Sequence, residues 1–347
     1  MSRALMYALM NAKQPSPVAD LSNLGWRGEG LQRPECVLTT AAGDIYTSDW
    51  RGGVSHLLPD GSQALYLGAL PSSSHPLAPA GPLRPNGIAL LADGSFLLAQ
   101  LGAEDGGVYH LQRDGTVEPW LLALQGQAMP PTNFVLPDAE GRTWVTVSTR
   151  RTPRALGYRR EGGDGFIVRV DRRGVDHATI VADGLGYMNE LAVHPSGAWL
   201  YVNETFARRL SRFPLHADGS LGDKQVVARF GPGTFPDGLA FDEAGGAWVV
   251  SIVSNRLIRV AADGSQSLWL QDAQSEHLDW VEAAFEGDAM DRPHLDQVRS
   301  RQLRNISSIA FAGADRKTAV LGCLLGDRLA TLQLPVSGAA PTHWNYP

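Results

Sequence analysis

Cysteine is scarce in this chain: Cys36 and Cys323 are the only two, too few for a disulfide framework or a Cys-based metal site. That usage fits a reducing compartment, and a cytoplasmic location is expected. Long apolar runs are missing too, since none approaches the ~20 residues a bilayer requires. The opening stretch MSRALMYALMNAKQPSPVAD has an apolar run too brief and broken for a secretory signal. Lys and Arg total 30 against 36 Asp and Glu, and the formal charge of -6 is read as spread along the chain without basic clusters. Neither nucleic acid nor an anionic membrane is therefore expected as a partner. Also absent are a G-x-S-x-G elbow, a P-loop and the HExxH spacing, which removes the usual signatures of serine hydrolases, nucleotide enzymes and zinc peptidases.

What is plentiful is turn chemistry, with 38 Gly and 22 Pro in 347 residues. One pattern recurs: a polar residue, a short apolar strand, a Gly/Asp turn and a second strand. Its copies are ECVLTTAAGDIYTSD from Glu35, NGIALLADGSFLLAQ from Asn86, NFVLPDAEGRTWVTV from Asn133, NELAVHPSGAWLYVN from Asn189, DGLAFDEAGGAWVVS from Asp237 and SSIAFAGADRKTAVL from Ser307. Most continue into a third strand and some into a fourth, as GVYHLQRDG and VEPWLL illustrate. A lone meander exposes apolar surface on both faces, whereas six in a closed ring bury those faces against one another. The expectation is all-β: a six-bladed β-propeller of four-stranded blades, with residues 1–347 as one domain. A segment before Glu35 should close the ring by pairing with the blade that ends near RLATLQLP.

The rhythm breaks between Ser265 and Ser307. Leu278, Val281 and Phe285 fall at helical spacing there, after Ser275 as the expected N-cap, so a short helical insertion over about 266–304 is placed between the fifth and sixth blades. It either packs on the rim or covers the mouth of the channel.

Each copy opens on a side-chain oxygen: Glu35, Asn86, Asn133, Asn189, Asp237 or Ser307. Inner strands line a propeller's axis, so equivalent positions should converge at one height around a water-filled pocket. Pro-Asp-Gly and Pro-Asn-Gly are also ordinary turn sequences, but turn chemistry does not select Glu35 within RPECVL. Two carboxylates facing each other across a narrow channel call for a positive charge between them. A divalent cation supplies it, with Glu35 and Asp237 as anionic ligands and Asn133 and Asn189 as neutral ones. An all-oxygen shell favours Ca²⁺, with Mg²⁺, Mn²⁺ or Zn²⁺ as alternatives. Arg84, Asn86 and Asn133 are the candidate contacts to a small-molecule substrate. Glu204 and Asp49, in matching second strands, either support the site residues from behind or are solvated strand ends, the latter being preferred; His194 reads as a turn residue, and the sequons at Asn203 and Asn305 as chance.

These spaced motifs resemble the gluconolactonase, senescence marker protein and luciferin-regenerating enzyme-like family over roughly Glu35 to Pro335. The family's PNG is similar to Pro85-Asn86-Gly87, its PND to Pro131-Thr132-Asn133, its second PNG to Met188-Asn189-Glu190, its PDG to Pro236-Asp237-Gly238, and its glutamate to Glu35. The chain departs from the pattern with RPEC at the first motif, Phe134 in place of an aspartate, and Glu190 in place of a glycine. The resemblance implies one catalytic divalent ion on Glu35, Asn133, Asn189 and Asp237, and hydrolysis of a lactone or related cyclic ester. In such a reaction the metal acts as Lewis acid on the ring carbonyl. Asp237 is the expected base, and hydroxide on the ion is the competing nucleophile. RPECVLTTAAGDIYTSDWRGGV also looks like the opening blade of strictosidine synthase-like propellers. A non-hydrolytic enzyme, a phosphotriesterase-like hydrolase and a non-catalytic binding module therefore stand as alternatives.

Overall fold

A computed structural model describes residues 18–68, 77, 81–297 and 299–346. The part of the opening stretch before residue 18, read above as lacking a signal, lies outside them. Six four-stranded antiparallel sheets run in simple meander order. Their first strands are Val37–Thr39, Pro85–Leu90, Thr132–Pro137, Met188–Val193, Thr234–Phe241 and Ile306–Ala312. These inner strands touch in cyclic order, the sixth returning to the first, so the sheets form a six-bladed β-propeller. The ring closes as expected from the sequence. Gly25–Arg27 supplies the outer strand of the sixth blade, in register Gly25↔Thr331, Trp26↔Ala330 and Arg27↔Leu329.

The blades form where they do because the turns are chemically fixed. In Asp93-Gly94-Ser95 and Asp263-Gly264-Ser265 the Asp Oδ1 accepts the Ser backbone N–H at 3.0 and 2.9 Å, which closes the hairpin from inside. Apolar alternation then fills the gaps between blades: Tyr46, Ile88, Phe96, Phe134, Trp144 and Met188 belong to one buried cluster that spans several blades. Two blades repeat the same polar anchor beneath a buried tryptophan. The indole N–H of Trp144 donates to Asp138 Oδ2 and that of Trp248 to Asp242 Oδ2, each at 2.9 Å.

The insertion holds helix α1, Ser275–Glu286, and a single turn, α2, Pro293–Asp296. Ser275 is the first helical residue rather than the N-cap; Gln274 occupies that position and makes no side-chain cap bond. Leu278, Val281 and Phe285 do face inward, against Tyr158, Phe206 and Phe235. Glu282 on the same helix accepts from Gly233 N at 2.7 Å and pairs with Arg208, whose guanidinium stacks on Phe235 and Phe285.

Strand order fixes which face of the disc carries this insertion. Along a meander, the start of the first strand and the ends of the second and fourth lie on one face. The insertion follows the fourth strand of blade five, so it sits on the face where the inner strands begin. Residues 148–164, after the second strand of blade three, share that face. The two segments meet: Arg159 Nη1 donates to Met290 O at 3.1 Å, and Arg292 Nη1 lies 3.4 Å from the Tyr158 hydroxyl.

Candidate active site

Five of the six ring positions sit on a break in strand register. Pairing shifts between Pro85 and Ile88, Thr132 and Phe134, Met188 and Leu191, Pro236 and Leu239, and Ile306 and Ser308. These breaks bracket Asn86, Asn133, Asn189, Asp237 and Ser307. A β-bulge re-aims one side chain out of the alternating pattern, which is how a polar residue can leave an otherwise apolar strand face. Glu35 stands just before its strand, with its own N–H and that of Cys36 both donating to Ser48 Oγ.

Backbones crowd at this level. A Cβ on Gly87 would lie 2.7 Å from Phe134 Cα, and one on Gly238 2.5 Å from Ser308 Cα, so the residue after Asn86 and after Asp237 has to be glycine. Blade four places Glu190 at the equivalent point, and that side chain crosses to the next blade, where Oε2 accepts from Leu239 N at 2.8 Å.

Side-chain bonds tie the ring together. Asn86 Nδ2 donates to Asn133 O at 3.2 Å, and Ser307 Oγ to Glu35 O at 3.0 Å. Asn189 Nδ2 reaches Thr205 Oγ1 at 3.4 Å, and that hydroxyl donates to Pro236 O at 2.8 Å. Asn203 Nδ2 donates to both Asp237 O and Gly238 O at 3.0 Å, holding the bulge that carries Asp237. The ring is deeply set: none of its six residues is more than 6% exposed. Ser307 uses its hydroxyl proton on Glu35 O and keeps its oxygen lone pairs.

The charges are unbalanced. Arg33, whose Nε and Nη2 lie 3.1 and 3.0 Å from Glu35 Oε2, is the cation against the hub carboxyls Glu35, Glu190 and Asp237. Burial, then the neighbouring Glu35 and Glu190, push the Asp237 carboxyl well above the usual carboxylate range, and Arg33 only partly opposes them. Burial pushes Glu190 up to about 8. Asp237 Oδ1, Asn133 Oδ1 and Asn86 Oδ1 are all buried without a hydrogen-bond partner. Orphaned buried oxygens are costly, and a hard cation between them would satisfy them. Among the described residues no group of three or more His, Cys, Asp or Glu is arranged to hold a metal ion, so a site here has to draw on asparagine amides.

The other expectations fare differently. Asp49 and Glu204 are not solvated strand ends; both are 0% exposed. Asp49 accepts from Ser55 Oγ and pairs with Arg51; Glu204 accepts from Ser211 Oγ and pairs with Arg209. Each also takes a backbone N–H from the segment leading to a ring residue, Gln32 ahead of Glu35 and Gly186 ahead of Asn189. The sequon residues Asn203 and Asn305 are buried and bonded to backbone, closed to modification. Arg84 is exposed at the rim, its guanidinium 5.2 Å from the Trp50 ring that also carries Arg33 at 4.2 Å. His194 is a turn residue, as expected, bonded to Ser196 Oγ at 2.8 Å. The even spread of charge fails between residues 150 and 160, where RRTPRALGYRR carries five arginines.

Fold and hub define a class: a six-bladed propeller with a buried polar ring at one end of its axis. The sequence pattern of the SMP-30/Gluconolactonase/LRE-like region matches residues 34–270, and the chain belongs to that family. It is 32% identical over 182 residues to a 6-deoxy-6-sulfogluconolactonase of Pseudomonas putida, which covers 52% of each protein, so the match spans about half the length of that relative. A gluconolactonase of Xanthomonas campestris superposes with a TM-score of 0.63 at 19% identity, over 90% of this chain and 89% of the other. Regucalcin of Agrobacterium tumefaciens, described as a calcium-binding protein, gives 0.63 at 17% identity over 93% and 98%. At these identities the superpositions speak for the fold alone. No described helix is long and apolar enough to cross a membrane.

Proposed function

We propose that this protein is a metal-dependent lactonase that opens a sugar lactone or related cyclic ester at the hub. The observation that carries the reading is the set of buried, unpartnered oxygens of Asp237 and Asn133 beside Glu35, in a chain that belongs to the gluconolactonase family. Glu35, Asn133, Asn189 and Asp237 would hold one divalent ion, Ca²⁺ by their hard, all-oxygen chemistry, and the ion would supply Lewis-acid polarisation of the lactone carbonyl.

The side chains of the protein do the rest. Asp237 is the base that accepts the proton of the attacking water. Asn203 and Thr205 fix its position by clamping Pro236, Asp237 and Gly238 through their carbonyls. Asn86 Oδ1, buried and unpartnered, accepts from a substrate hydroxyl, while Arg84 at the rim meets the outer part of the substrate. The buried free thiols of Cys36 and Cys323 accord with a cytoplasmic site of action.

The test is a panel of sugar lactones and phosphotriesters assayed before and after chelation, with metal content measured on the same sample. Lactone turnover that vanishes with the metal and returns with Ca²⁺ is expected. Asp237→Asn and Glu35→Gln should each lower turnover by roughly a thousandfold. Undiminished turnover in the chelated protein, or full activity in both variants, would remove the mechanism.

A further inference from the structure

The arginine-rich segment after the second strand of blade three lies on the ring face, and its five guanidiniums are not equivalent. Arg150 pairs with Asp183 and Arg151 with Asp164. Arg159 is spent on the carbonyls of Tyr158 and Met290, and Arg160 lies 5.6 Å from the Phe285 ring. Arg154 is different: its Nη1 is buried and has no hydrogen-bond partner among the described residues.

Arg154 has cationic company. Arg292, from the insertion, reaches the hydroxyl of the buried Tyr158, whose ring packs edge-on against Tyr187 with centroids 5.3 Å apart. Arg33 lies within electrostatic reach of both Arg154 and Arg292. Both also lie within electrostatic reach of the Tyr187 hydroxyl. The acids at hand are the hub's Glu35, which takes Arg33, the hub's Asp237, which also acts on Arg33, and the half-exposed Asp296, which takes Arg292. Arg33 and Arg292 thus each have a carboxylate, whereas Arg154 has none among the described residues, and its unpaired buried donor is costly unless an anion meets it.

We propose that Arg154 and Arg292, aided by the Tyr158 hydroxyl, form an anion-recognition site at the channel mouth for a sulfonate, phosphate or carboxylate carried by the lactone away from its reacting carbonyl. The assignment of that group to the substrate rests on the lactonase reading; the anion site itself rests on the arginines. Planar guanidiniums suit such oxyanions because they donate two parallel bonds. The hub has a different task, since its carboxyls repel the same group. An anionic tail is thereby kept at the mouth while the ring end enters, and the substrate is oriented by charge.

Selectivity provides the test. For gluconolactones that bear a 6-sulfonate, 6-phosphate or 6-carboxylate, kcat/KM is compared with that for the neutral lactone in the wild type, Arg154→Gln and Arg292→Gln. The anionic-to-neutral ratio should exceed one in the wild type, the three arms showing which oxyanion is preferred, and should fall on the order of 10- to 100-fold in each variant. A ratio unchanged in both variants overturns the proposal. Binding of inorganic sulfate, read as a rise in melting temperature, gives a result independent of turnover. Sulfate stabilisation present in the wild type and lost in Arg154→Gln upholds the anion site even if no lactone is hydrolysed, in which case the lactonase reading alone falls. Hydrolysis of neutral lactones without sulfate binding or charge selectivity leaves the lactonase and removes the anion site.

Discussion

Asp49 and Glu204, at the ends of second strands, are 0% exposed; Asp237 and Glu190, at the hub, are 2% and 5% exposed. Burial alone would raise the pKa of all four. For Asp49 and Glu204 that penalty is overcome: hydrogen bonds from Arg51 and Ser55, or from Arg209 and Ser211, with a backbone N–H in each case, hold both carboxyls below their ordinary values. For Asp237 and Glu190 it is not overcome, and both are raised. The two regions share residue type and depth and differ in partners. The strand-end carboxylates have their lone pairs filled by the protein, which makes them braces for the segments that deliver Glu35 and Asn189. The hub leaves Asp237 Oδ1 empty, so its stabilisation has to come from something that binds.

The sharpest way to break that contrast is to remove one brace. Glu204→Ala strands Arg209 and the N–H of Gly186, and breaking a buried ion pair this way costs about 3–5 kcal/mol. Urea unfolding followed by circular dichroism should show the midpoint fall accordingly. A loss below about 1 kcal/mol would mean that Glu204 is no more structural than Asp237.

The hub should respond in the other direction. In chelated protein, Asp237→Asn replaces a carboxyl whose ionised form is disfavoured by burial and by Glu35 and Glu190, and stability should rise by about 1 kcal/mol. Thermal melts of wild type and variant in excess chelator make the comparison. A substantial fall in the variant would show that Asp237 is held by the protein itself, and the distinction between hub and brace would be lost.

Much of this architecture was legible because a propeller is local in sequence. Each blade is a chain-contiguous meander, so six copies of a strand–turn–strand pattern carried the blade count, and the oxygen that opens each copy carried the ring. Even the closing strand followed from the topology. What stayed illegible was carried across blades or by bulges. Asn203, Glu204 and Thr205 read as a sequon and a strand end. Their roles, bonding Asp237 O, Gly186 N and Pro236 O, depend on the neighbouring blade and on a preceding loop. Glu190 looked like a departure from a glycine, yet its side chain spans to the next blade and accepts from Leu239 N. The segments that carry Arg154 and Arg292 stand far apart in the chain and meet only because strand order puts both on one face. Ser275 missed its cap because Gln274, with no side-chain bond, already occupied that position.

Acid provides the finest test of the comparison between hub and brace. Glu204 has a folded pKa below its ordinary value, so its contribution is fully present above the unfolded pKa of about 4.3 and is lost as pH falls through the folded value. Wild type and Glu204→Gln should therefore differ most in unfolding free energy near neutral pH, and the difference should narrow as pH drops from about 4.3. Each unit of lowered pKa accounts for about 1.4 kcal/mol of that narrowing. Other carboxylates also lose stability in acid, which is why the difference between the two proteins, rather than either curve, carries the information. A gap that stays constant from neutral pH to pH 3 would show that Glu204 acts through its shape and neutral hydrogen bonds. Charge would then no longer separate the braces from the hub.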